Sequence, residues 1–167
     1  MNIKVALVGD SLVKRIPNYM LPQKMRKYSK GGAKAESFIQ SEEMIQALNY
    51  QPQVVFIFIG GNDIRRGCSP KTIFDNIMAI RSRFVGIGSI VEVIEITYRS
   101  KPRGMSSDEF RKVQNSINKK LRRHTKETLS LGGLDLIKGF LENDGVHFNY
   151  QGIENLVARI NLTVSNI

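Results

Sequence analysis

Val54-Val55-Phe56-Ile57-Phe58-Ile59 is apolar at six consecutive positions and runs straight into Gly60-Gly61-Asn62-Asp63. A strand with one wet face alternates apolar and polar residues; a strand apolar throughout is covered on both faces, as in the middle of a parallel sheet. The glycine-rich, polar tail is turn chemistry at the strand's carboxyl end. In open parallel sheets that end is where ligands bind.

The pattern on either side of this strand agrees with a parallel sheet. Upstream, Ile3 to Val8 reads as a short strand stopping at Gly9, and Met25 to Ser29 as a weaker one before Gly31-Gly32. A helix is expected from about Ala33 to Leu48, with Ala35, Phe38, Ile39, Ile45 and Leu48 on one face. Downstream, Ser69-Pro70 is a helix start, and Ile73, Ile77, Ile80 and Phe84 follow at helical spacing. Ile90 to Thr97 is the next strand, and Tyr98 to Met105 a basic loop. Ser107 opens a helix with the stripe Phe110, Val113, Ile117 and Leu121, in a unit closed by Gly132-Gly133. Leu134 to Ile137 is read as the last strand. A final helix from about Asn149 turns Ile153, Leu156, Val157, Ile160 and Val164 inward. Strand and helix in alternation predict an α/β fold, a parallel sheet with helices on both faces. No repeat or linker divides the chain, so a single domain over 1–167 is expected.

Composition narrows the function classes. A chain of 167 residues with 41% hydrophobic and 24% charged residues is neither disordered nor fibrous. The lone Cys68 rules out an internal disulfide framework. No apolar run approaches the ~18 residues of a membrane span. Met1-Asn2-Ile3-Lys4 leads directly into the first strand, with no signal-peptide pattern, so an intracellular location is expected. The closeness of that strand to the start also fits a domain of a longer protein.

The net charge is +10, from 25 Lys and Arg against 15 Asp and Glu. Seven bases and no acid lie between Lys14 and Lys34. A second cluster spans Lys119 to Lys126. Lys24, Arg26, Lys27, Lys119, Lys120, Arg122 and Arg123 are therefore candidates for weak, sequence-independent contact with RNA or another polyanion. The chain has no Trp, and its aromatics are not interleaved with these clusters, so a stacking platform for single strands is not expected.

Chemically loaded residues collect at the predicted strand ends and one loop: Gly9-Asp10-Ser11-Leu12, Gly31-Gly32, Gly60-Gly61-Asn62-Asp63 and Asp144-Gly145-Val146-His147. Each alone is unremarkable turn chemistry. In this order and placement they resemble the blocks of the SGNH hydrolase family, the GDSL esterases. That resemblance implies a three-layer α/β/α sandwich, flavodoxin-like, with a five-stranded parallel sheet. It also implies a serine esterase; no His, Cys, Asp or Glu group has metal-ligand spacing and no nucleotide-binding glycine loop is present, so neither metal nor cofactor is expected. The chain is short for the family, which implies an open cleft.

A serine hydroxyl needs an adjacent base to become a nucleophile. His147 is the credible base for Ser11, since His124 falls within a basic helix. Asp144, three residues before His147, is suited to orient it. The resemblance implies an oxyanion hole of the Ser11 backbone N–H, a glycine N–H and the Asn62 side chain. Gly32 is the preferred glycine, with Gly31 a one-residue shift away. Gly60 is read as allowing close backbone approach, and Asp10 and Asp63 as holding their loops. The expected reaction is hydrolysis of a small carboxylic ester, short acyl groups such as acetyl favoured, through an acyl-enzyme. The alternative is a nucleic-acid or partner-binding module on the same fold, with or without esterase activity. Small basic members of the family resemble esterase domains of mobile-element proteins that travel with RNA.

Overall fold

The computed structural model describes residues 2–126, 128–129 and 139–167. Five parallel strands form one sheet in the order β2-β1-β3-β4-β5. They are β1 (Val5–Gly9), β2 (Met25–Ser29), β3 (Val54–Phe58), β4 (Ile90–Ile94) and β5 (Thr128–Leu129). Every residue of β1 and β3 is buried, as their unbroken apolar runs require.

The helices are α1 (Ser11–Lys14), α2 (Ala35–Phe38), α3 (Glu42–Asn49), α4 (Pro70–Val85), α5 (Ser107–His124) and α6 (Tyr150–Ser165). They divide between the two faces of the sheet. Helices α2 to α5 pack on one face, where Phe38, Met44, Ile73, Ile77, Phe110 and Ile117 meet Val8, Val55, Ile57 and Val93. Helices α1 and α6 pack on the other, where Val13, Ile16, Leu156 and Ile160 meet Leu7, Phe56 and Phe58. The result is the expected three-layer α/β/α sandwich. Along α4 the predicted stripe Ile73, Ile77, Ile80 and Phe84 is wholly buried, worth about 1.5–3 kcal/mol per side chain relative to exposure.

Three expectations need correction. The helix expected over 33–48 is two helices. Ser41 sits between them in extended conformation and accepts from the Met44 N–H at 3.2 Å, starting α3 afresh. The restart rotates the buried face to Met44 and Ala47 and leaves Ile45 54% exposed. Strand β4 ends at Ile94, before the expected Thr97, because α5 takes over the backbone of Ile96. Asn118 Oδ1 accepts the Ile96 N–H at 2.9 Å, and Gln114 Nε2 and Asn118 Nδ2 both donate to the Ile96 carbonyl at 2.9 Å. These buried amides replace part of the purely apolar α5 stripe, and Val113 is only half-buried. Finally, the fifth strand in the sheet is Thr128–Leu129. Helix α5 stops before Gly132-Gly133, at Thr125, whose Oγ1 donates to the Leu121 carbonyl at 2.7 Å. The strand expected at Leu134 to Ile137 lies outside the described residues.

Candidate active site

Register places the polar blocks side by side. Gly9 at the end of β1 pairs with Ser29 on β2 and with Phe58 on β3. The loops that follow, carrying Ser11, Gly31-Gly32 and Gly60-Asp63, therefore leave the sheet next to one another. The histidine loop joins them through backbone bonds. The Ser100 N–H, just after β4, donates to the Gly145 carbonyl at 2.9 Å, and Leu141 bridges Phe148 across the base of the loop.

Ser11 opens α1, with Asp10 as its N-cap accepting the Leu12 N–H at 2.9 Å. Its Oγ lies 2.8 Å from His147 Nε2. His147 Nδ1 lies 2.5 Å from Asp144 Oδ2. The other oxygen of Asp144 accepts the N–H groups of Val146 at 2.9 Å and His147 at 3.0 Å. Partial burial pushes the Asp144 carboxyl up, but the bonds from the His147 ring and the two N–H groups outweigh it and hold the group well below the usual carboxylate range. An ionised carboxylate only accepts. The proton shared with Asp144 therefore sits on Nδ1, which leaves Nε2 of a neutral ring as acceptor for the Ser11 hydroxyl. Such an arrangement can take the hydroxyl proton and hold the resulting imidazolium.

Asn62 lies beside this relay. Its Nδ2 donates to the Ala33 carbonyl at 3.0 Å and approaches Asp10 Oδ2 at 3.4 Å. Its Oδ1 accepts from Arg99 Nη2 at 3.0 Å. With a guanidinium on the oxygen, the amide has one orientation only: its NH₂ faces the Ser11 and Ala33 loops. Gly32 has φ +72°, where an L side chain is strained. The backbone N–H groups of Ser11 and Gly32 donate to no acceptor among the described residues. These are groups that can receive a developing oxyanion.

The model of the GDSL-like lipase/acylhydrolase family matches residues 7–154. The chain belongs to that family. Membership places it among the serine ester hydrolases. Solved structures share the fold at low identity. A GDSL-like lipase from Bacteroides thetaiotaomicron is 16% identical with TM-score 0.85, over 98% of this chain and 88% of that one. A lipase/acylhydrolase from Enterococcus faecalis is 18% identical with TM-score 0.73, over 98% and 96%. The psychrotrophic esterase EstA from Pseudoalteromonas is 14% identical with TM-score 0.74, over 99% and 98%. No curated protein matches.

In this GDSL chain the two remaining carboxylates of the blocks hold loops. Both oxygens of Asp63 are 3.0 Å from the Ala35 N–H, which they accept, and burial pushes its pKa up. Asp10 is buried, and burial raises its pKa to about 6 against the pull of the Leu12 N–H and Arg99. The sign follows. Between the ordinary 3.8 and about 6 the folded chain binds a proton that the unfolded chain does not. This group therefore adds stability as pH falls through 6 and detracts above it, by about 3 kcal/mol. Asp10→Asn keeps the cap, since Asn caps as well as Asp. It should be more stable than the parent to urea at pH 8, with the gap closing between pH 6 and 4. A gap independent of pH would contradict the assignment.

Arg99 is the site residue that sequence reading missed. It stands in the loop after β4, read only as basic and turn-rich. Its side chain is half-buried over the Phe110 ring, 5.5 Å from the centroid. Gly61 gives it room: a Cβ there would lie 2.6 Å from Arg99 Nη2. The glycine pair before Asn62 was thus the available signal for a bulky neighbour. Gly60 allows close approach as expected, with Ile96 and Ile77 within 3.0 Å of where its Cβ would be.

The basic candidates do not converge on the site or on one another. Lys24, Arg26 and Lys27 belong to edge strand β2 or its approach, whereas Lys119, Lys120, Arg122 and Arg123 lie on α5, which leads into β5 at the far edge. Four inter-strand steps are roughly 19 Å. Several are already engaged. Lys27 Nζ donates to the carbonyls of Lys14 and Ile16, Arg122 pairs with Glu95, and Arg26 lies over the Tyr50 ring. A groove of about 700 Å³ along β2 is lined by Arg26, Lys27 and Tyr28, away from Ser11 and His147. His124 is exposed beside Phe74, and Cys68 packs against the core.

Proposed function

We propose that this chain hydrolyses a carboxylic ester with a short acyl group through an acyl-enzyme on Ser11. The observation that carries the reading is the unbroken relay of Ser11 Oγ, His147 and Asp144 at 2.8 and 2.5 Å. His147 Nε2 takes the hydroxyl proton as Oγ attacks the carbonyl carbon. The carbonyl π electrons move onto oxygen, where the N–H groups of Ser11 and Gly32 and the amide of Asn62 receive the charge. Collapse of the intermediate expels the alcohol, which takes the proton from His147. Water then gives its proton to His147 and attacks the acyl carbon, releasing the acid and restoring Ser11. Asp144 stays ionised throughout and stabilises the imidazolium.

The acyl preference rests on space. The cavity lined by the two neighbours of Ser11, Asp10 and Leu12, with Phe58, Gly61, Ile96 and Arg99 among others, holds only about 10 Å³, no more than roughly one water. That cavity offers no room for a long acyl chain. No helix among the described residues is long and apolar enough to cross a membrane. The test is turnover of para-nitrophenyl acetate, butyrate and decanoate, with kcat/KM falling as the chain grows. A preference for decanoate overturns the short-acyl assignment.

Asn62→Ala should lower kcat by about 10²–10³-fold with KM little changed, because an oxyanion donor tightens its bond only as charge develops. Arg99→Gln should show the same split at smaller magnitude, since the amide is then free to turn. A change confined to KM in either variant assigns Asn62 to ground-state binding instead.

A further inference from the structure

We propose that this esterase selects esters carrying a negatively charged group, a carboxylate or phosphate near the scissile bond; the inference rests on the esterase reading above and names its substrate class. The loops that leave the carboxyl ends of the strands, as the Ser11 turn does, carry a series of cations. Lys14 follows Ser11 by three residues in α1 and so shares its side. Its ammonium lies 3.8 Å from where a Cβ on Gly31 would stand, beside the oxyanion loop. The loop after β2 carries Lys34, that after β3 carries Arg66, and that after β4 carries Arg99, Lys101 and Arg103. All leave the same edge of a parallel sheet.

The acids at this edge are mostly committed. Asp10 and Asp63 are buried and take backbone N–H groups. Asp144 belongs to His147, and Glu36 pairs with Arg65 at 3.2 Å. Glu142, exposed on the histidine loop, and Asp108 and Glu109, exposed in the first turn of α5, are the acids that remain. Lys14, Lys34, Arg66 and Arg103 make no ion pair among the described residues. Arg103 lies near enough to Arg99 to lower the pKa of its guanidinium, after burial, the main cause. Unpaired like charges around a cleft focus potential into it and raise the local concentration of anions. This cleft already contains a reacting serine, so what is concentrated there is substrate.

The experiment compares aryl acetates that share the acyl group and differ in the charge on the ring: neutral, carboxylate-bearing, phosphate-bearing and trimethylammonium-bearing. Each kcat/KM is divided by the ester's own hydroxide-catalysed rate. At pH 8 and ~0.01 M salt, where charges act over ~30 Å, the anionic esters should exceed the neutral one by about 10-fold or more. The phosphate should lead the carboxylate, and the cation should be slowest. At ~1 M salt, with a screening length of ~3 Å, the rates should draw together. Lys14→Gln with Arg103→Gln should shrink the low-salt preference, and Lys14→Glu with Arg103→Glu should invert it, while turnover of the neutral ester reports intact folding. Equal normalised rates for all esters at low salt overturn the proposal, as does a preference untouched by the charge-reversed pair. Neutral turnover without anion preference leaves the esterase reading standing; no turnover of any ester removes both.

Discussion

Replacing His147 with alanine should lower kcat/KM for para-nitrophenyl acetate by about 10⁴-fold or more. The size follows from what the imidazole does. It is the base that takes the Ser11 proton and the acid that returns it to the leaving alcohol, and among the described residues no other side chain bonds to the Ser11 hydroxyl. Asp10, the carboxylate next to Ser11 in the chain, is buried and bonded to the Leu12 N–H. Asp144→Asn should cost less than His147→Ala, because an amide can still touch the ring yet favours the wrong tautomer. The order of rates should therefore be parent, Asp144→Asn, His147→Ala across the pH range. Steady-state kinetics from pH 5 to 9 on the three proteins checks this. Equal rates for parent and His147→Ala would remove the base from the mechanism.

Ser11→Ala should abolish turnover to a similar or greater extent, up to about 10⁶-fold, since no covalent intermediate can then form. The structural cost should be small. Ser11 Oγ bonds to His147 and supports no backbone group, and alanine is well suited to the first turn of a helix. The variant should therefore keep the parent's urea midpoint while losing activity. A matched loss of stability would make the activity loss uninformative about chemistry. Unchanged activity in a folded Ser11→Ala protein would exclude Ser11 as nucleophile.

Much of this was legible in the sequence because strong local signals agreed with the fold. The continuous apolar runs of β1 and β3 announce burial on both faces, and the loops after them must then share one edge. That topology, together with the spacing of Asp144 and His147, accounts for how the relay assembles. What stayed hidden depends on side chains that meet only in three dimensions. Ser41-Glu42-Glu43 carries a local start signal, a serine cap with acids in the first turn, but the apolar stripe read across it masked the break between two helices. Nothing in Gln114 or Asn118 says that they terminate β4 by bonding Ile96. Arg99 was lost among neighbouring surface cations, although it alone holds Asn62 Oδ1. The basic clusters are a different case. They are conspicuous in sequence, yet one lies on edge strand β2 or its approach and the other on helix α5, and ion pairing and backbone bonds occupy several of them.

The central claim is that Ser11 is an activated nucleophile, and covalent labelling tests it most directly. A phosphonate warhead is apt, since EstA from Pseudoalteromonas has a structure inhibited by monoethylphosphonate. Parent, Ser11→Ala and His147→Ala proteins are incubated with an alkyl fluorophosphonate, weighed intact, digested and sequenced by mass spectrometry. One adduct is expected on the parent, mapped to Ser11, with labelling absent in Ser11→Ala and strongly slowed in His147→Ala. An adduct on any other residue of the parent, or undiminished labelling of Ser11→Ala, would contradict it.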